Sequence, residues 1–203
     1  YGEHAGSAAP FREGKLTTFE GGVRMPCLVR WPGHVPAGTV SDALFAAMDF
    51  YPTFAKFCGA PLPDAKLDGI DLSSVFLGKP NAAGREVFWY CSGDELQAVR
   101  KGPWKLHVPH EYLTVAADPG RGGKPSNWGN LQPKSIQESG IRGIASRHGY
   151  RVESLPLSLF NLQTDPGETR NCAAEFPEIV SELQTVVAAA RAELGDGPSA
   201  ASA

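Results

Sequence analysis

Apolar and polar positions change period along the chain, and the last stretch is the clearest. From Pro177 to Leu194, the residues Ile179, Val180, Leu183, Val186, Val187, Ala190 and Leu194 recur at helical spacing and predict one apolar face. Pro177 suits the first helical position, Glu178 favours the positive helix end, and Gly195 supplies a stop. Before this helix the pattern is that of strands. Val87–Tyr90, Leu96–Arg100 and Trp104–Val108 are short β-rich runs separated by Gly93-Asp94 and Lys101-Gly102-Pro103. They predict an antiparallel meander. Ser158–Leu162 reads as a fourth strand, closed by the turn Asp165-Pro166-Gly167-Glu168. Residues 115–150 show no clear periodicity and read as a long excursion.

The first third is less regular. Residues 1–22 are Gly-rich and polar, a loop with one short helical turn at most. Val23–Trp31 and Ser41–Met48 are apolar runs expected to be strands, the first pairing only after Pro26. Asp49 reads as an N-cap, with Pro52 in the first turn, Phe50, Phe54 and Phe57 at helical spacing, and Gly59 as the stop. Residues 60–85 read as loop, with a short helical turn within Ile70–Leu77.

Composition narrows the possible functions. A formal charge of −3, with no basic stripe and no interleaved aromatics, argues against nucleic acid as a partner. No apolar run reaches 18 residues, so no membrane-spanning helix is expected. The four cysteines, Cys27, Cys58, Cys91 and Cys172, are far apart and suit buried or reduced thiols better than a zinc cluster. The opening Tyr1-Gly2-Glu3-His4 lacks Met and any signal-peptide pattern, as expected of a fragment or a processed chain.

One loop carries candidate chemistry. The segment from Gly14 to Pro26 places Lys15, Thr17, Thr18, Glu20 and three glycines ahead of an apolar run. Glycines let backbone approach a ligand, and a lysine there can hold a tetrahedral anion as a point charge. Read from residues alone, this is an anion site or simply a solvated loop.

The segment Gly14-Lys15-Leu16-Thr17-Thr18-Phe19-Glu20-Gly21-Gly22-Val23-Arg24-Met25-Pro26 resembles the second signature of sulfatases. Arg30-Trp31-Pro32-Gly33, Pro36-Ala37-Gly38, Asp49 with Pro52-Thr53, Asp68-Gly69-Ile70-Asp71 and Leu159-Phe160-Asn161-Leu162 extend the match. The chain is similar to the arylsulfatase A and N-acetylgalactosamine-6-sulfatase branch. The resemblance implies an α/β fold, the C-terminal fragment of an alkaline-phosphatase-like architecture. Residues 1–83 would end the catalytic domain, and 84–203 would form a small four-stranded antiparallel sheet packed on a C-terminal helix.

In functional terms the resemblance implies hydrolysis of a sulfate monoester on a sulfated small molecule or saccharide, in an exported protein. Lys15 takes the sulfate-binding, catalytic role, while Thr17, Thr18, Glu20 and Arg24 hold the loop. His4, His107 and His110 are the candidates for substrate contact, whereas His34 and His148 read as surface. The implied nucleophile is a cysteine or serine of a C/S-x-P-x-R motif, oxidised to formylglycine, and no cysteine here fits it. The implied calcium ligands also lie outside this chain, so no metal ligand is assigned within it. Leu16 stands where the signature frequently has glycine. Two other readings stay open: a phosphodiesterase or phosphonate hydrolase of the same superfamily, and a non-catalytic binding or scaffold remnant.

Overall fold

The computed structural model describes residues 8–115, 141 and 150–195. They fall into two compact units, one made of the described residues up to Arg24 together with those from Trp89 onward, the other of Met25–Phe88.

The first unit is built on the expected sheet. Strands β1 (Val87–Ser92), β2 (Glu95–Lys101) and β3 (Trp104–His107) form the meander. Gly93 and Gly102, both at positive φ, make the two turns, a conformation that costs glycine little. Strand β6 (Ser158–Asn161) completes the sheet in the order β1-β2-β3-β6, antiparallel to β3 with Lys105 opposite Phe160 and Leu106 opposite Leu159. Two further strands lie inside what reads in the sequence as an excursion. Strands β4 (His110–Val115) and β5 (Tyr150–Leu155) pair as a separate antiparallel ribbon, from His110 with Leu155 to Val115 with Tyr150. The rest of that excursion lies outside the described residues.

Period-two alternation in β3 gives the sheet two differently occupied faces. Leu106 points to one face, where it joins Leu96, Val99, Leu159, Val180, Leu183, Val187 and Ala190 in one core, with Trp104 packed at its edge. That side is covered by the C-terminal helix, Pro177–Leu194, which follows α1 (Glu20–Val23), α2 (Phe50–Cys58) and α3 (Ser73–Phe76) and is called α4. Lys105 and His107 point the other way, toward the segment around Phe19. In α4 the expected stripe holds for Val180, Leu183, Val187 and Ala190, with Ile179 and Val186 partly buried. Leu194 departs from it and lies half exposed in the last turn.

The second unit corrects two expectations. Residues 24–31 have no regular structure and belong to no ladder, and Leu28 is 98% exposed. Residues 41–46 likewise join no ladder, though Arg85 N–H donates to Leu44 O at 2.8 Å, before a 3-10 turn at Ala47–Asp49. β propensity reports how a side chain fits a pleated surface, but a strand also needs a hydrogen-bonded neighbour. None of the described residues supplies one here.

Asp49 precedes α2 as expected, yet its carboxylate does not cap that helix. Instead it accepts bonds from the backbone N–H groups of Ala46 (2.8 Å) and Ile70 (2.9 Å) and from the Arg85 guanidinium (Nε to Oδ2, 2.8 Å). Burial alone would raise its pKa, but Arg85 and the two amides together hold it below the usual carboxylate value.

Two stability outcomes are expected. Leu183 is almost fully buried in mid-stripe, so Leu183→Ala should cost about 2–5 kcal/mol in urea unfolding. Asp49→Ala leaves the Arg85 guanidinium and two amides without their shared acceptor and should cost about 3–5 kcal/mol in the same assay. A wild-type midpoint for either variant would mean that its packing or bonding is misassigned.

Candidate functional site

Lys15 sits at the tip of a four-residue turn. Thr17 closes it, donating from both its backbone N–H (3.2 Å) and its Oγ1 (2.8 Å) to the carbonyl of Gly14. Leu16 lies at φ 84, the left-handed region that glycine tolerates and a leucine resists. Lys15 and Leu16 are exposed, while the next four residues, Thr17 to Glu20, are all buried. The transition from open tip to closed stem therefore takes place within one residue.

The stem is fixed by contacts far away in sequence. Thr18 Oγ1 donates to Gln97 Oε1 at 3.0 Å. Gly21 and Gly22 pass so close to the preceding loop that a Cβ would fall 2.3 Å from the Arg12 carbonyl oxygen or 2.2 Å from that of Thr17. The Arg12 guanidinium lies 4.2 Å from the Phe19 ring centre and donates to the Glu168 carbonyl (3.1 Å) and to the Tyr112 hydroxyl (2.9 Å).

Beneath the stem is a buried charge cluster. The Lys105 ammonium donates to Thr18 O (2.7 Å) and Glu20 Oε1 (3.0 Å), and it stands 3.1 Å from Glu168 Oε1. Glu168 Oε2 in turn accepts the Glu20 backbone N–H at 2.6 Å. Arg24 and Arg100 lie 3.8 and 4.0 Å from the other Glu20 oxygen. Burial would raise the Glu168 pKa, but the bond from His107, the Lys105 charge and the bond from the Glu20 amide lower it, so it is a carboxylate.

Of the histidines, His4 and His148 lie outside the described residues. His34 is exposed and sits against Trp31, as expected of a surface position. His107 and His110 are both buried, their rings stacked at 5.4 Å. His107 stacks on Phe19 at 4.9 Å and donates from Nε2 to Glu168 Oε1 at 2.9 Å. Its pKa is pushed down to about 4, first by burial and also by the Lys105 charge. It is therefore neutral at pH 7, and its unpartnered Nδ1 is the bare nitrogen, which costs less to bury than an N–H would. His110 follows the same logic, with Nδ1 donating to Val108 O at 2.7 Å and a bare Nε2.

Sequence reading picks out Thr17, Thr18, Glu20 and Arg24 as loop holders, and each makes a contact of that kind. Gln97, the partner of Thr18, is itself 3% exposed and also bonds Glu95. Sequence reading misses Arg12, Lys105 and Glu168. Lys105 leaves a faint signal, a charge between Trp104 and Leu106 in a strand with both faces covered. Glu168 leaves none, because it reads as the last residue of a turn.

No group of three or more His, Cys, Asp or Glu side chains among the described residues is placed to hold a metal ion. The two carboxylates of the cluster are already engaged with Lys105. These residues do not fit the calcium ion implied by the resemblance, and the four cysteines are free thiols outside any nucleophile motif.

Comparison with known proteins gives a consistent picture. Residues 83–203 match the family profile described as the C-terminal region of aryl-sulfatase, and residues 13–100 match that of N-sulphoglucosamine sulphohydrolase, C-terminal. Arylsulfatase A of Bos taurus is 36% identical over 191 residues, covering 90% of this chain and 33% of that protein. N-acetylgalactosamine-6-sulfatase of Homo sapiens is 34% identical over 191 residues, covering 91% and 34%. The crystal structure of PsFucS1 sulfatase from Pseudoalteromonas sp. superposes with a TM-score of 0.68 at 25% identity, over 93% of this chain and 34% of that one. The chain thus spans about a third of the length of these relatives. The chain belongs to the sulfatase family, as the C-terminal region of a sulfatase similar to arylsulfatase A and N-acetylgalactosamine-6-sulfatase.

Proposed function

We propose that this chain supplies the sulfate-binding lysine of an enzyme that hydrolyses sulfate monoesters, with a sulfated sugar as substrate. The observation that carries this reading is the contrast at the loop tip: Lys15 is exposed while the stem behind it is buried and bonded on every side. A cation on a fixed stem needs little reorganisation when an anion arrives. Cleavage of a sulfate ester builds negative charge on the non-bridging and leaving oxygens, and a preplaced positive charge lowers that barrier. The names of the N-acetylgalactosamine-6-sulfatase relatives support a sugar as the carrier.

The burial of His107 and His110 supports an internal role for both, and the exposure of Lys15 supports it as the group that meets the anion; His4 lies outside the described residues and keeps its place as a candidate for substrate contact. The formylglycine and calcium expected of the family belong to the rest of the protein, which by the same reading is exported. Among the described residues no helix is long and apolar enough to cross a membrane. We place the division between catalytic domain and small subdomain near residues 83 and 84, supported by the start of the aryl-sulfatase C-terminal match.

Two outcomes test this reading. The 203-residue chain alone should not turn over an aryl sulfate above a heat-treated control. Measurable turnover would place the nucleophile inside it. In the full-length enzyme, Lys15→Ala should lower kcat/KM by roughly 10²–10³ with an unchanged melting temperature. Wild-type turnover would remove Lys15 from the site.

A further inference from the structure

The buried cluster has no place in sulfate binding as described, yet every part of it bears on the loop. Three properties of Lys105 matter. It is fully buried in the sheet's interior, so its ammonium is not offered to a ligand. Three acceptor oxygens surround it: the ammonium donates to Thr18 O and Glu20 Oε1 and pairs as an ion with Glu168 Oε1 at 3.1 Å. Two of these acceptors belong to the stem of the Lys15 turn, and the third, through its other oxygen, holds the Glu20 amide. The cluster thus grips the backbone at residues 18 and 20 from one side. Thr17 then carries that position to Gly14 through its two bonds, and Lys15 lies between.

We propose that Lys105, with Glu168 as its counter-charge, is a positioning residue for Lys15: it fixes the height of the 17–20 stem over the sheet and so sets where the Lys15 ammonium meets the sulfate. This rests on the sulfate-binding role proposed for Lys15. A purely apolar residue at position 105 could fill space but could not bond the Thr18 carbonyl and both carboxylates at once. The neutral His107 completes the arrangement by donating to the same Glu168 oxygen that faces Lys105. The geometry also explains why the charges are tolerated inside: each carboxylate has at least one cationic partner and one further donor or second cation.

The test is a double-mutant cycle in the full-length enzyme, read as kcat/KM on an aryl sulfate and as the inhibition constant of inorganic sulfate. Lys105→Met should lower kcat/KM roughly 10- to 100-fold, the scale of a displaced catalytic group, and weaken inhibition by sulfate. Lys105→Arg, which keeps the charge and several donors, should recover part of the loss. If Lys105→Met does not fold, Glu168→Gln, nearly equal in shape, takes its place in the cycle. In the Lys15→Ala background either substitution should cause almost no further loss in either readout, because the group it positions is gone. Losses that multiply in the double mutant would overturn the positioning role while leaving Lys15 in place. Wild-type turnover of Lys15→Ala alone would instead overturn the sulfate-binding reading, and this proposal with it.

Discussion

The buried ammonium of Lys105 sits where the two layers of the larger unit meet. It lies in β3, one of the two strands with neighbours on both edges, and faces away from the helix. Taking a lysine out of water costs several kcal/mol unless its charge is matched, and here two hydrogen bonds and two carboxylates match it. This requirement dictates much of the surroundings. Glu20 and Glu168 must come close, Arg24 and Arg100 then balance the second oxygen of Glu20, and His107 has to stay neutral beside them.

The two faces of the sheet solve different problems. The helix side is apolar, made of Leu96, Leu106, Leu159, Leu183 and Val187, and its contribution comes from area removed from water. It tolerates variation in shape better than in polarity. The loop side holds charged and aromatic groups at fixed distances, with Phe19 wedged between His107, Tyr112 and Arg12. Bonds there are directional, so this face specifies where the loop lies, which apolar packing alone would leave loose.

The meander, its turns and the helix stripe are legible in the sequence because they rest on local periodicity, which each segment carries by itself. The β4–β5 ribbon is not, since its partners are separated by residues without pattern, and the unpaired runs at 24–31 and 41–46 show the converse error. Lys15 is legible only through the resemblance of its whole segment to a family signature. Chemistry alone leaves a lysine in a Gly-rich loop ambiguous. Glu168 is illegible because its role depends on residues 148 positions earlier, a pairing that no local rule reports. Asp49 shows a related limit: its place before a helix suggests a cap, but an arginine 36 residues on wins the carboxylate.

The distance between Glu20 and Glu168 also orders events in time. During synthesis the Lys15 turn emerges long before β3, and β3 before the Asp165–Glu168 turn. Contacts of such wide sequence separation close late, because the chain between them must first be organised. The loop stem therefore lacks part of its bonded frame until Lys105 and Glu168 are both in place. An arrest or cleavage between β3 and β6 would leave Lys105 and Glu20 in the chain but without Glu168. Such a shortened protein would keep every residue of the family signature and still lack the frame that holds it.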